Sequence, residues 1–237
     1  MNNIINLHLE NRTFATGGFF ETNVDQMAIT GTFYGTAFHS PVVSTENLSD
    51  KQAFPYFSRS YTPGSRHVRS MLAALDHFGT LSGPGWRDIA VVSVASVYGI
   101  NYSELFVHLV PDNFQIIAYQ QFIHDYYSVP NFDVELQEVS RSGARVICFI
   151  AFSDSFFPFI MEANDRGLVG ENYVYISMDG LACDELSGIG EELEHLTRGM
   201  LGTCQDVEPF SVLATNPFTT RWQQLDPDEY PGTGPGT

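Results

Sequence analysis

The hydrophobic pattern of this chain alternates between continuous apolar runs and apolar residues at helical spacing. The runs are typical of strands buried on both faces, as in a parallel sheet, and the spaced residues predict amphipathic helices. Strand–helix alternation with short connections predicts right-handed βαβ units and an α/β fold. The predicted strands are 40–44, 88–93, 114–119, 145–151 and 173–178, and the predicted helices are 22–34, 65–79, one around 105–109, 134–139 and 153–166.

Polar residues that directly follow the predicted strands are the first candidates for a binding site. Open α/β sheets bind ligands outside the carboxyl ends of their strands, in the crevice where connections diverge. Ser44 and Thr45 end the first predicted strand, and Asp179 follows the last one. We therefore expect binding chemistry at that edge of the sheet.

The charge balance excludes several classes of partner. The 237 residues include 11 Lys and Arg against 28 Asp and Glu, which gives a formal net charge of −17. An acidic surface repels nucleic-acid phosphates and anionic membrane surfaces, so we predict binding to neither. The chain has no apolar run of about 18 residues that would span a bilayer, and its first ten residues do not resemble a signal peptide.

Catalytic, cofactor and metal motifs are absent from the sequence. It contains no GxGxxG, Walker A or GxSxG pattern. In the segment 191–195 one histidine follows three carboxylates, which predicts a solvated helix face rather than a zinc site. Asp25, Asp88, Asp154 and Asp179 are strand-end or helix-start carboxylates, and none is paired in sequence with a plausible nucleophile. We predict no enzyme activity, no metal and no cofactor.

Cysteines and sequons bear on the compartment of the protein. Cys148 lies in an apolar run and is predicted to be a buried thiol. Cys183 and Cys204 either form a disulfide in an oxidising compartment or remain two unrelated thiols, and the sequence leaves both readings open. Asn-x-Ser/Thr sequons, which would be glycosylated only on a secretory route, begin at Asn11, Asn47 and Asn101.

Several short motifs occur in a fixed order along most of the chain. They are Leu48-Ser49-Asp50-Lys51, Phe54-Pro55-Tyr56-Phe57-x-Arg59, His77-Phe78-Gly79, Tyr98-Gly99, the junction 142–147 and Tyr175-Ile176-Ser177-Met178-Asp179-Gly180. Together, over roughly residues 15–225, they resemble the receptor ligand-binding region shared by class C G-protein-coupled receptors, natriuretic-peptide receptors and ionotropic glutamate receptors.

This resemblance implies a type I periplasmic-binding-protein-like clamshell. Two lobes, each a three-layer α/β sandwich with a mostly parallel sheet, would close on a ligand between them. Residues 1–86 would form an incomplete lobe 1, residues 87–195 lobe 2, and 196–225 the return to lobe 1. The segment 80–85 is expected to be an inserted surface loop, and 226–237 a disordered Pro/Gly-rich tail. Because the first units and last helices of the family have no counterpart, we expect a fragment or an incomplete gene product.

The resemblance also implies a scheme for the ligand. In amino-acid-binding members, lobe 1 hydroxyls and N–H groups at a helix start take the ligand carboxylate, and an aromatic ring and a carboxylate of lobe 2 meet its ammonium. By position the corresponding residues are Thr22, Asn23, Ser44, Thr45, Tyr98 and Asp179. Each also has a structural reading as an N-cap, a strand end, hinge packing or an ordinary turn. Thr62-Pro63-Gly64 replaces an acidic residue frequent in the family, which argues against an amino acid in particular.

The function implied is an extracellular small-molecule ligand-binding domain of a membrane receptor, class C G-protein-coupled-receptor-like, that signals by lobe closure. The ligand would be an amino acid or a related amine. The resemblance further implies a dimer through lobe 1 and attachment to the cell membrane through regions outside this chain. A soluble solute-binding protein of a transport system is the alternative, and a small α/β enzyme is the third reading.

Overall fold

Parallel strands and helices alternate along the chain in the computed structural model. The structure describes residues 15–17, 24–81, 86–124, 131–178, 191–203 and 216–230. In chain order the elements are β1 (Ala15–Gly17), α1 (Val24–Tyr34), β2 (Ala37–Ser40), a 3-10 turn (Glu46–Ser49), β3 (Phe57–Arg59), α2 (Gly64–Leu81), β4 (Asp88–Val94), α3 (Val97–Leu109), β5 (Gln115–Phe122), α4 (Asp133–Ser142), β6 (Val146–Ile150), α5 (Ser153–Asp165), β7 (Val174–Met178), α6 (Glu191–Thr197), β8 (Leu201–Thr203) and α7 (Pro217–Gln223).

The larger sheet has five parallel strands in the order β5-β4-β6-β7-β8. Its central strands carry the continuous apolar runs: β6 is buried at every position, and β4 at every position after Asp88. Because helices cover both faces of the sheet, side chains on both sides of these strands are buried, and the strand sequences are apolar rather than alternating. The edge strand β5 is only half-buried along most of its length.

The direction of the crossovers assigns helices to the two faces of this sheet. The chain moves from β4 to one side through α3, and from β5 to the other side through α4, α5 and α6. Right-handed connections running in opposite directions lie on opposite faces. The connections that leave the neighbouring strands β4 and β6 therefore diverge, and this divergence is the topological switch point of the sheet.

Helix α2 packs on the larger sheet rather than with the residues before it. Its buried stripe, which includes Val68, Met71 and Leu75, belongs to the same hydrophobic cluster as β4 and β6. Strand β8 also joins this sheet, beside β7. Helix α2 and residues 201–203 thus pack with the larger sheet, although the predicted boundaries assign both segments to lobe 1. The division into lobes itself stays a prediction.

The smaller sheet has the parallel order β1-β2-β3 and a core of its own, formed by α1, β2 and the segment up to β3. The strand predicted at 40–44 lies earlier, at Ala37–Ser40. Pro41 ends it because proline cannot donate to a ladder, and Ser40 Oγ accepts a hydrogen bond from Val43 N at 3.2 Å to turn the chain. Val43 lies after this turn and is fully buried, so the apolar residues 42–43 have the pattern of a buried strand although they are not part of one.

Glycine was predicted to end helices α2 and α4, and it does so only in α4. Gly143 terminates α4 in the left-handed conformation, with φ 75°, as its position predicts. Gly79 does not end α2, which continues to Leu81. A side chain at residue 79 would lie 2.7 Å from Trp86 Cβ, so the glycine serves close packing instead. Thr80 and Leu81 are therefore helical rather than part of the predicted loop 80–85.

The chain divides into two compact units, Met1–Cys204 and Gln205–Thr237. In the second unit the described part is α7 and a following turn. In this turn Asp226 O accepts hydrogen bonds from Glu229 N and Tyr230 N. Residues 231–237 lie outside the described residues, and the disordered tail at 226–237 stays a prediction.

Candidate ligand-binding site

A cavity lies at the topological switch point of the larger sheet. It has a volume of about 70 Å³ and is lined by the residues that follow β4, β5 and β6, among them Ser96, His124 and Phe152. This is room for roughly five water molecules. A larger hollow of about 610 Å³ beside edge strand β5 is an open groove away from the strand ends. The switch point is where α/β sheets of this kind hold their ligands, so we take the smaller cavity as the candidate site.

The polar wall of the cavity is a hydrogen-bonded row of three side chains. Ser155 Oγ lies 2.9 Å from His124 Nδ1, and His124 Nε2 lies 3.3 Å from Asp154 Oδ2. Only 10% of the His124 side chain is exposed, against 45% for Asp154. A neutral His124 satisfies both contacts if Nε2–H donates to Asp154 and Nδ1 accepts from Ser155. The row therefore fixes an exposed carboxylate in place without enclosing it.

The apolar wall is an aromatic stack built on α3. Tyr98 lies beneath Phe152, with ring centroids 4.5 Å apart and 28° between the planes. Its other neighbour is Tyr102, at 4.8 Å. Tyr98 is almost fully buried, whereas Phe152 is 41% exposed and lines the cavity. The aromatic side chain exposed at the cavity is therefore Phe152.

Gly99 explains why the stack lies so close to the end of β4. Helix α3 begins immediately after a tight turn, in which Ser96 N donates a hydrogen bond to Val94 O at 2.8 Å. Ser96 Oγ caps the helix by accepting from Gly99 N at 3.3 Å. A Cβ at residue 99 would lie 1.9 Å from Val94 O, so only glycine fits there. The Tyr98-Gly99 motif thus has a packing reason.

The segment that carries Ser44 and Thr45 is held against the start of α2. Gly64 N donates to Ser44 O at 2.9 Å, and Ser65 N donates to Glu46 Oε2 at 3.1 Å. Arg59, from the Phe-x-Arg motif, donates to Thr45 O at 2.7 Å. Both hydroxyl residues are buried, and among the described residues Thr45 Oγ1 has no hydrogen-bond partner.

Three of the six predicted site residues lie in the described part of the structure. Tyr98 lies next to the cavity, as the second layer behind Phe152. Ser44 and Thr45 lie at the start of α2, near Tyr102, because a side chain on Gly64 would contact both Tyr102 and Ser44 O. The remaining candidates, Thr22, Asn23 and Asp179, lie outside the described residues. That Ser44, Tyr98 and Asp179 point into one shared groove between the lobes stays a prediction.

His124, Phe152 and Asp154 were not predicted as site residues. Asp154 was interpreted as an unpaired helix-start carboxylate, but it pairs with His124 from a loop 30 residues earlier. The available signal was positional, because all three residues follow strands of one parallel sheet. This positional signal did not indicate His124, because the predicted strand ended at residue 119, whereas β5 extends to Phe122.

Two further sequence expectations concern metals and thiols. Within the described ranges no three His, Cys, Asp or Glu side chains are grouped as metal ligands. Cys148 is a buried free thiol, as predicted, and burial raises the pKa of its thiol. Cys183 and Cys204 lie outside the described residues, so their pairing stays open. Across the same described ranges, no helix combines the length and apolar character that a bilayer span requires.

Comparison with known proteins assigns the chain to a family. The model of the family described as "Receptor family ligand binding region" matches residues 22–224. Glutamate receptor 2.3 of Arabidopsis thaliana is 26% identical over 190 residues, which cover 79% of this chain and 20% of that protein. Glutamate receptor 2.7 of the same plant is 24% identical over 174 residues, covering 73% and 17%. The chain spans about a fifth of the length of the curated relatives it matches, and its parallel α/β sheets confirm the predicted type I periplasmic-binding-protein-like fold.

Proposed function

Because this chain belongs to the receptor ligand-binding region family, we propose that it is the small-molecule-sensing region of a glutamate-receptor-like membrane receptor. The observation that supports this most is the cavity at the switch point, which coincides with the place where the fold holds ligands. Of the receptor classes that the motifs resemble, the named relatives favour the glutamate-receptor branch over the class C G-protein-coupled branch.

The ligand in this proposal is an amino acid or a related amine, bound between the carboxyl ends of the two parallel sheets. Ser44 and Thr45 would contribute from the smaller sheet, with Thr22 and Asn23 at the start of α1. Tyr98, through Phe152, and Asp179 after β7 would contribute from the larger one. Binding would favour a closed arrangement of two lobes, and closure would pass to membrane regions outside this chain. Extracellular location and dimerisation through lobe 1 are parts of the same proposal.

Catalysis is the competing function, because Ser155, His124 and Asp154 are bonded in the order of a hydrolytic triad. Two features argue against it. Ser155 is 2% exposed, so its hydroxyl cannot approach a substrate carbonyl, and it contacts Nδ1 while the carboxylate contacts Nε2, the reverse of the usual assignment. We therefore propose binding without turnover.

The test is a binding screen on the purified chain. The twenty common amino acids and simple amines are added one at a time, with thermal unfolding and calorimetric titration as readouts. A specific ligand should raise the unfolding temperature, because it binds only the folded state. Asp179→Asn should weaken binding of an ammonium-bearing ligand about tenfold to a hundredfold, since a charged hydrogen-bond partner is lost. A chain that binds none of these compounds, or that turns one of them over, contradicts the proposal.

A further inference from the structure

A second groove lies at the opposite end of the larger sheet from the cavity. It has a volume of about 440 Å³ and lies between α2 and the segment that connects α3 to β5. This segment directly precedes β5, and the strands of a parallel sheet all begin at the same edge, so the groove lies at the amino edge. Its volume is within the range of roughly 300–1,000 Å³ that is typical of sites for small organic molecules. The groove is therefore a candidate for a binding site separate from the cavity.

The apolar part of the groove is fixed by packing and by one arginine. Leu109 and Phe114 form part of the wall opposite α2, and Phe114 is buried in the core cluster of the larger sheet. The guanidinium of Arg87 lies 4.6 Å from the centroid of the Phe114 ring, and its Nη1 lies 2.8 Å from Asp76 Oδ1 on α2. Arg87 thus connects the two walls. Because these contacts hold the walls together, binding requires little additional ordering.

The uncompensated charge of the groove is positive. Asp76 lines the groove, but its carboxylate is paired with Arg87. Arg69 lines the groove from the same helix and is exposed, and among the described residues its guanidinium has no hydrogen bond or ion pair. Asp112, in the segment that connects α3 to β5, is exposed but does not line the groove. A cation beside an apolar wall is thus available to a ligand, on a chain whose net charge is −17.

We propose that this groove binds an organic carboxylate, with Arg69 as its counter-ion and the wall of Leu109 and Phe114 as the contact of its apolar part. A guanidinium is planar and can donate two parallel hydrogen bonds to a carboxylate. The apolar part of the ligand gains free energy by leaving water. An ammonium in the same place would be repelled by Arg69, whereas the charge of Asp76 is already offset by Arg87. The groove and the cavity share no lining residue, so this site is independent of the proposed function.

Three probes that share one aromatic skeleton test the preference for a carboxylate. They are 4-phenylbutanoate, 4-phenylbutan-1-ol and 4-phenylbutylamine, which end in a carboxylate, a hydroxyl and an ammonium. Dissociation constants are measured by ligand-observed NMR at about pH 7 and physiological salt. The carboxylate should bind at least about tenfold more tightly than the amine. The chain as a whole repels the carboxylate and attracts the amine, because its net charge is −17, so this order requires a local cation.

Removing the proposed counter-ion tests its role directly. Arg69→Gln should weaken 4-phenylbutanoate binding about five- to tenfold and leave 4-phenylbutan-1-ol binding within about twofold. The matched control is Arg141→Gln, which removes the same charge from an exposed site on α4, on the opposite face of the sheet from α3. It should leave the 4-phenylbutanoate affinity within about twofold, because exposed charges more than about 8–10 Å apart are screened at physiological salt. Circular dichroism of both variants checks that the fold is kept.

Ala73 provides a second pair of variants. It is exposed on α2, lines the groove and lies one turn after Arg69. A glutamate at this position would pair with Arg69 at i,i+4 spacing and repel a carboxylate, so Ala73→Glu should weaken 4-phenylbutanoate binding at least about tenfold. Ala73→Gln adds a side chain of nearly the same size without the charge and should weaken binding by less than about threefold. Glutamate and glutamine both favour helices, so α2 should be kept in both variants.

The contrary results are distinct from a failure of the proposed function. A site for organic carboxylates is contradicted if 4-phenylbutanoate does not bind, or if the amine binds as tightly. It is equally contradicted if Arg69→Gln has no larger effect than Arg141→Gln, or if Ala73→Gln weakens binding as much as Ala73→Glu. None of these results bears on the receptor proposal, which the screen of amino acids and amines tests. Conversely, 4-phenylbutanoate binding that depends on Arg69 supports the groove as a site even if that screen finds no ligand.

Discussion

Replacing Gly99 by alanine tests the packing that connects β4 to the site. The added Cβ would lie 1.9 Å from Val94 O and 2.8 Å from Val94 Cγ1. Ordinary contact begins at 3.4 Å, so α3 or the end of β4 would have to move by about 1.5 Å. The obstacle is mainly a backbone carbonyl of a buried central strand, which cannot rotate away as the end of a flexible side chain can.

The expected decrease in the free energy of unfolding combines two opposing contributions. Overpacking a core typically costs about 1–3 kcal/mol and occasionally more, and the backbone clash puts this case at the upper end. Alanine in a helix is favoured over glycine by about 1 kcal/mol, which offsets part of that loss. We expect the free energy of unfolding to fall by about 2 kcal/mol or more. In a chain of this size that corresponds to a decrease in unfolding temperature of about 4–8 °C.

Urea denaturation followed by circular dichroism measures this difference, with Gly64→Ala as the control. At residue 64 the nearest atoms are Leu105 Cδ1 at 3.1 Å and Tyr102 Cε1 at 3.2 Å, both ends of side chains. That variant should change the free energy of unfolding by no more than about 1 kcal/mol. If Gly99→Ala is as stable as the wild type, or if Gly64→Ala costs more, the proposed packing of α3 against β4 is wrong.

Other contacts give predictions of known sign. Phe149→Ala should lower the free energy of unfolding by about 3–5 kcal/mol in urea denaturation, because Phe149 is fully buried among Phe122, Phe156 and Phe159; a loss below about 1 kcal/mol would contradict the core assignment. Tyr175→Phe removes the 2.8 Å hydrogen bond to Leu168 O and should lower the free energy of unfolding by about 0.5–1.5 kcal/mol in the same assay. An unchanged free energy of unfolding would contradict a role of this hydrogen bond in stability. Burial raises the pKa of the Cys148 thiol, so in a chain with both other cysteines changed to serine it should not react with a disulfide reagent at pH 8 until urea unfolds the protein. The stability linked to this raised pKa is present below the unfolded thiol pKa of about 8.5 and is lost as the pH rises above it.

The elements that sequence patterns predicted well are those with long, unbroken periods. Strands β4, β6 and β7 and helix α2 carry apolar residues at nearly every position that their core requires, so their patterns are unambiguous. Strands β1, β3 and β8 have three residues each, which is too short for any period to appear. Their pairing depends on neighbouring strands rather than on their own sequence.

The candidate site was predictable as a place but not as a set of residues. Parallel topology indicates the carboxyl edge, and Ser96, Phe152 and Asp154 all follow β4 or β6 directly. The contact of His124 with Asp154 joins two loops that are distant in sequence, and no local pattern encodes such a pair. The structure has Tyr98 beside the cavity, and its burial beneath Phe152 depends on where α5 starts.

The Tyr98-Gly99 motif and the cavity are consequences of one local arrangement. Because residue 99 has no side chain, α3 can begin close to Val94 O, and this places Tyr98 beside the first residues after β6. Tyr98 then supports Phe152, which lines the cavity together with Asp154. A larger residue at position 99 would displace the supporting ring or the end of β4, and both adjoin the cavity. Gly99→Ala should therefore weaken the binding of any ligand that the screen identifies, as measured by calorimetric titration, even where most of the chain remains folded.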